Sequence, residues 1–82
     1  MLSPSDWTTL EKSIAKTIRQ WKREGTTGAS FACLKQCVPT TGLTCTPYAF
    51  HSTFNQIAAE VAKRLRFSVY EHGQVTSSKT FA

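Results

Sequence analysis

The sequence predicts a mainly α fold with a C-terminal β-hairpin, an α+β domain in which three helices enclose one core. Two patterns carry that expectation. Trp7, Leu10, Ile14, Ile18 and Trp21 recur at helical spacing, and so do Phe50, Phe54, Ile57, Val61 and Leu65. After Arg66 the period drops from 3.6 to 2, with Phe67 and Val69 alternating with Ser68 and Tyr70.

The first helix is expected from Pro4 to Glu24. Ser3 suits the N-cap, Pro4 the first helical position and Asp6 the first turn. Lys22 and Arg23 suit the negative end of the dipole, and Gly25 is a natural stop. On a helical wheel the five apolar residues fall in a stripe roughly 80° wide. Lys12, Lys16, Arg19 and Arg23 form a second stripe about opposite the first, a secondary basic surface.

Thr26-Thr27-Gly28 reads as a connection with room for one β-bridge. A short second helix should begin near Ala29 or Ser30, carry Phe31, Leu34 and Val38 on its apolar face with Cys37 beside them, and end before Pro39. Pro39 to Cys45 is a loop that Leu43 should pin to the core. The third helix, Pro47 to Leu65, has Thr46 as N-cap and Pro47 at its first position. The hairpin, Phe67 to Thr76, turns at Glu71-His72-Gly73-Gln74.

An 82-residue chain makes one domain, expected over 1–76 with a polar tail at 77–82. Such a chain buries only about 60–65% of the surface its unfolded form exposes, so its core is small. Ten Lys and Arg against five Asp and Glu give a net charge of +5, which favours polyanionic partners. No apolar run is long enough for a transmembrane helix, and the N-terminus lacks the basic and apolar stretches of a signal peptide. The three cysteines are an odd count, which argues against a secreted disulfide framework. An intracellular protein, in cytoplasm or nucleus, is the expectation.

Cys33, Cys37, Cys45 and His51 are the one set with ligand chemistry for zinc, spaced Cys-x3-Cys-x7-Cys-x5-His. Burial of the cysteines as small core residues is the expected reading, with no metal and no cofactor. The carboxylates form no acid–base pair, and Cys45 with His51 would need a substrate cleft for which this chain has little room. No enzymatic activity is expected. The tryptophans and basic face of the first helix also suit a membrane interface, but the chain has enough other apolar faces to bury that stripe internally.

Long helix, short helix, loop, amphipathic helix and hairpin, taken in order, resemble the winged-helix family of DNA-binding domains, within the helix-turn-helix superfamily. The likeness spans nearly the whole chain and rests on element order. It implies that helix 47–65 enters the major groove and that hairpin 67–76 acts as the wing, with His72 and Gly73 at its tip. The roughly seven-residue loop between the second and third helices is longer than a compact helix-turn-helix uses.

The outward strip of the third helix carries Tyr48, Ser52, Asn55, Gln56, Ala59, Lys63 and Arg66, with no carboxylate; Glu60 sits to its side. Asn and Gln donate and accept together, which suits adenine edges. Ser, Tyr, Lys and Arg suit phosphate and sugar. The candidate DNA-binding residues are therefore Tyr48, Ser52, Asn55, Gln56, Lys63, Arg66 and His72. The expected function is sequence-specific or general binding of double-stranded DNA in transcription or replication. A protein-interaction or homodimerisation module built on the same scaffold is the alternative.

Overall fold

The computed structural model describes residues 2–70. Among these the order is α1 (Pro4–Arg23), β1 (Gly28–Ser30), α2 (Phe31–Cys37), α3 (Pro47–Arg64) and β2 (Ser68–Tyr70). The fold is mainly helical with a small two-stranded sheet, in agreement with the α+β expectation.

All three helices start on side-chain caps. The hydroxyls of Ser3, Ser30 and Thr46 accept from the amides of Asp6, Cys33 and Ala49, each at 3.1 Å. These bonds satisfy amides that the helices themselves leave unpaired. Apolar residues precede all three caps, Ala29 standing ahead of Ser30. Leu2 is buried ahead of Ser3, and Cys45 packs on the core ahead of Thr46. With Trp7 and Phe50, also packed on the core, they occupy the positions of hydrophobic staples.

α1 and α3 end alike. The Thr26 amide returns to the Trp21 carbonyl and that of Gly25 to Lys22; the Phe67 amide returns to Ala62 and that of Arg66 to Lys63. Both are Schellman closures, which need one residue in the left-handed region. At α1 that residue is Gly25, with φ +92°; at α3 it is Arg66, with φ +57°. An L side chain is strained there and glycine is not.

Leu10, Ile14 and Ile18 of α1, Leu34 of α2 and Phe54 and Ile57 of α3 are fully buried in one cluster, with Val61 2% exposed. Trp7 and Trp21 cover its ends half-buried. Trp21 stacks at a tilt on buried Phe67, ring centroids 5.9 Å apart. Ala49, Ala58 and Ala62 are buried as well.

Polar ties align the two long helices. Asp6 is only 5% exposed, and its carboxylate accepts from the Thr44 amide (3.2 Å) and hydroxyl (2.9 Å), fastening the loop ahead of α3 to the start of α1. At the other end the Lys22 ammonium donates to the Leu65 carbonyl, the C-cap of α3. Like ends of α1 and α3 are thus held together.

The described sheet is a pairing that the sequence did not specify. β2 pairs in parallel with β1, in the register Gly28↔Ser68, Ala29↔Val69 and Ser30↔Tyr70. Parallel pairing returns the chain after two helices to the strand it left, and it closes α2 and α3 as one crossover. Gly28 lies close to the partner strand, and a larger residue there would make the exposed Tyr70 side chain swing aside. A Cβ there would sit 2.5 Å from the Tyr70 hydroxyl and 3.0 Å from the Ser68 carbonyl oxygen. The turn at 71–74, the return arm at 75–76 and the tail at 77–82 lie outside the described residues.

Some boundaries move too. α1 stops at Arg23, one residue short of expectation, because Glu24 is the C-cap. α2 begins at Phe31, because Ser30 serves as both the last strand residue and the cap. α3 stops at Arg64, with Leu65 as its cap.

Two stability predictions follow from these closures. Arg66→Gly should raise the melting temperature by roughly 2–6 °C, a gain of about 0.5–1 kcal/mol from relieved strain, whereas Gly25→Ala should cost about 1 kcal/mol. Asp6→Ala should destabilise the chain by about 1–3 kcal/mol, because it strips the partner from two Thr44 donors. Thermal and urea unfolding followed by circular dichroism measures both effects.

Candidate nucleic-acid interface

The apolar seam of α3 (Phe54, Ile57, Ala58, Val61, Ala62) faces the core, so the opposite side of the helix is turned to solvent. Tyr48, Ser52, Asn55, Gln56, Ala59 and Lys63 are all exposed along it, Tyr48 at 82%. The Ser52 hydroxyl donates to the Ala49 carbonyl at 3.2 Å. Among the described residues the amides of Asn55 and Gln56 take no side-chain partner. Glu60 is exposed at the edge of the strip.

Arg66 is exposed, but it does not continue the helical wheel. Its left-handed φ turns the chain, so its side chain leaves from the end of α3 rather than from its outer face. His72 lies outside the described residues.

Two cations that the sequence did not single out flank the strip. On the α2 side the Lys35 ammonium lies 3.3 Å from Nδ1 of exposed His51 and 5.4 Å from the centroid of the Phe54 ring. On the α1 side Arg64 reaches Glu11 at 3.3 Å, with side chains 64% and 32% exposed. An ion pair this exposed adds little stability, but it offsets one of the two charges next to the strip. The only sequence signal for these neighbours would have been the packing order of the helices, because Lys35 and His51 are 16 residues apart.

The basic stripe of α1 is also exposed, at Lys12, Lys16, Arg19 and Arg23. Between α1 and α3 runs a groove of about 350 Å³ lined by Glu11, Lys12, Ala15, Arg19, Val61, Arg64 and Leu65. The apolar stripe of the same helix is spent on the core, which leaves no apolar face of α1 for a membrane interface. Among the described residues no helix is long and apolar enough to cross a membrane.

The cysteines correct the sequence reading. Cys33 and Cys37 are exposed rather than buried, because Leu34 and Val38 take the inward positions of this short element; only Cys45 is partly buried. Cys33, Cys37, Cys45 and His51 do not assemble: among the described residues no group of three or more His, Cys, Asp or Glu is placed to hold a metal. The Cys37 sulfur edges a groove lined by Lys16, Trp21 and Pro39. Partial desolvation there, then the charge and hydrogen bonding of the neighbouring Cys33 thiol, raise its pKa above the ordinary cysteine value.

Comparison of this chain with known protein families, curated proteins and solved structures finds no match. The surface chemistry therefore carries the functional reading.

The raised pKa has a kinetic consequence, since the thiolate is the nucleophile. At pH 7.5 Cys37 should alkylate with iodoacetamide more slowly than an unhindered thiol peptide, and the gap should close as pH rises. Cys33→Ala should speed Cys37. Peptide mass spectrometry of a quenched time course reads both effects.

Proposed function

We propose that the chain binds double-stranded DNA, with α3 in the major groove. The observation that carries this reading is the solvent strip Tyr48, Ser52, Asn55, Gln56, Ala59 and Lys63, exposed along the whole helix and free of carboxylates. Two adjacent amides able to read base edges sit at its centre, with hydroxyls toward its N-terminal end and a cation toward its C-terminal end. Ala59 lets the helix approach closely. A solvated helix face without a reading role commonly mixes both signs of charge.

Arg66 adds support. The closure of α3 favours glycine at this position, and α1 has one at the equivalent place. A strained cation at the end of the candidate reading helix fits a role in phosphate contact, since strain is retained where a side chain is needed. The net charge of +5 supplies the long-range attraction. The element order, which resembles winged-helix domains, is compatible with this docking. The parallel β1–β2 pair means that any contact by the segment after Tyr70 would start from a strand already held by β1.

Exposure of Tyr48 at 82% and Tyr70 at 53% favours a second reading, a protein-binding or self-associating face. Sedimentation of the isolated chain bears on it: a stable dimer that buries α3 supports that reading over DNA binding.

Fluorescence anisotropy with a labelled duplex at two or more salt concentrations tests the proposal. Affinity should fall with salt at a log–log slope of about −0.9 per phosphate neutralised. Replacing Asn55 and Gln56 by alanine should cost about 1–3 kcal/mol on a preferred site. Replacing Lys63 or Arg66 by glutamine should weaken binding to all sequences alike and flatten the slope by about one unit each. Absence of salt-sensitive binding at low micromolar protein rejects the reading.

A further inference from the structure

Lys12, Lys16, Arg19 and Arg23 occupy one face of α1 at steps of four, three and four residues. Over α1 that is a row about 16 Å long, at 1.5 Å per residue. All four are exposed, and among the described residues none lies in an ion pair. The neighbouring charges are engaged elsewhere: Glu11 with Arg64, Glu24 with the Gln20 amide at 3.4 Å, and Lys22 with the Leu65 carbonyl. One strand of a duplex presents a phosphate about every 3.4 Å along its axis, so such a row spans about five of them.

The direction of the row matters as much as its charge. Leu10, Ile14 and Ile18 point into the same core as Phe54, Ile57 and Val61. The side of α1 opposite its seam and the side of α3 opposite its seam therefore diverge across that core. A duplex is stiff over about 150 bp, so one lying straight along α3 does not bend round a domain this small to cover α1 as well.

We propose that α1 is a second DNA-binding face and that one chain joins two duplex segments, one on α3 and one on the α1 row. This inference rests on the DNA-binding reading of α3 and adds a second, purely electrostatic site. The α1 row offers ammonium and guanidinium groups, the donors that contact backbone phosphate in any sequence.

A two-duplex capture assay on the full chain tests the proposal. One duplex is fixed to beads, a second carries a fluorophore, and single-duplex affinity is measured separately by anisotropy. The native chain should retain the labelled duplex on the beads. Capture should weaken roughly a hundredfold between 50 and 200 mM salt, as four neutralised phosphates require. Changing Lys12, Lys16, Arg19 and Arg23 together to glutamine should reduce capture at least about tenfold while leaving single-duplex affinity within about threefold at 150 mM salt, where charges more than about 8 Å away are screened. Circular dichroism checks that this variant remains folded; if it does not, the pairs Lys12→Gln with Arg19→Gln and Lys16→Gln with Arg23→Gln are used, each expected to give part of the loss.

Four results overturn the proposal. Capture that persists in the α1 variant means that chains pair with each other and each holds one duplex. Parallel loss of capture and of single-duplex affinity means that one duplex wraps both faces along the Arg64–Arg19–Lys12 groove. Single-duplex binding by the native chain without capture rejects the second face alone, whereas no binding in either assay rejects the α3 reading with it.

Discussion

The seam between α1 and α3 sets everything else in this molecule. Leu10, Ile14 and Ile18 meet Phe54, Ile57 and Val61 with almost no residual exposure, and Leu34 completes the contact. Each fully buried aliphatic or aromatic side chain contributes about 1.5–3 kcal/mol of transfer free energy. Net stabilities of whole domains are only about 5–15 kcal/mol, so a chain this short has no large apolar residue to spare. Rotating either helix would expose part of the seam, and the rotation of both is therefore fixed. Once Ile14 and Ile18 point inward, Lys12, Lys16, Arg19 and Arg23 must point outward. Phe54 and Ile57 impose the same on Asn55, Gln56 and Lys63. The charged and amide-bearing surfaces are thus placed by the core rather than by interactions of their own.

The seam fixes rotation but not sliding, and polar ties at the two ends do that. Asp6 holds Thr44 at one end, and Lys22 caps the carbonyl end of α3 at the other. The parallel strand pair adds a third tie, since β1 leaves from the end of α1 and β2 from the end of α3. Buried Phe67 against Trp21 covers the same end with aromatic surface. A small domain with a single apolar layer gains definition from such ties, because they have directional geometry and apolar contacts do not. Ala58 and Ala62 serve the same end sterically by letting neighbouring elements approach α3.

The local rules in the sequence were legible, and the long-range ones were not. Ser3 and Thr46 cap their helices, Pro4 and Pro47 open them, and Gly25 ends α1, as short-range chemistry requires. The exposed strip of α3 followed from the helical period alone. The pairing of β2 with β1 did not: a run of alternating residues says that a strand forms but not which strand it joins. Asp6 read as a first-turn charge, and its contact with Thr44 spans 38 residues. The cysteines misled because their usual burial was set against only two stronger apolar positions in a seven-residue helix, and Leu34 with Val38 filled the space. Arg66 counted as one more helical position until the left-handed turn took it off the wheel.

Arg66 and the α1 row bear on function through the same question, which is what stability alone would select. Stability alone favours glycine at the left-handed position that closes α3, and the chain uses glycine at the matching position of α1. Stability alone also disfavours four cations in one row. Like charges at i, i+4 repel by a few tenths of a kcal/mol per pair, and Lys12 with Lys16 and Arg19 with Arg23 are two such pairs. Mixed signs would relieve both, yet the nearest acids are committed to Arg64 and Gln20. The cost at Arg66 lies in its backbone, whereas the repulsion within the row is relieved when a phosphate approaches. Bound polyanion would turn the repulsion of the row into attraction and give the Arg66 guanidinium a partner.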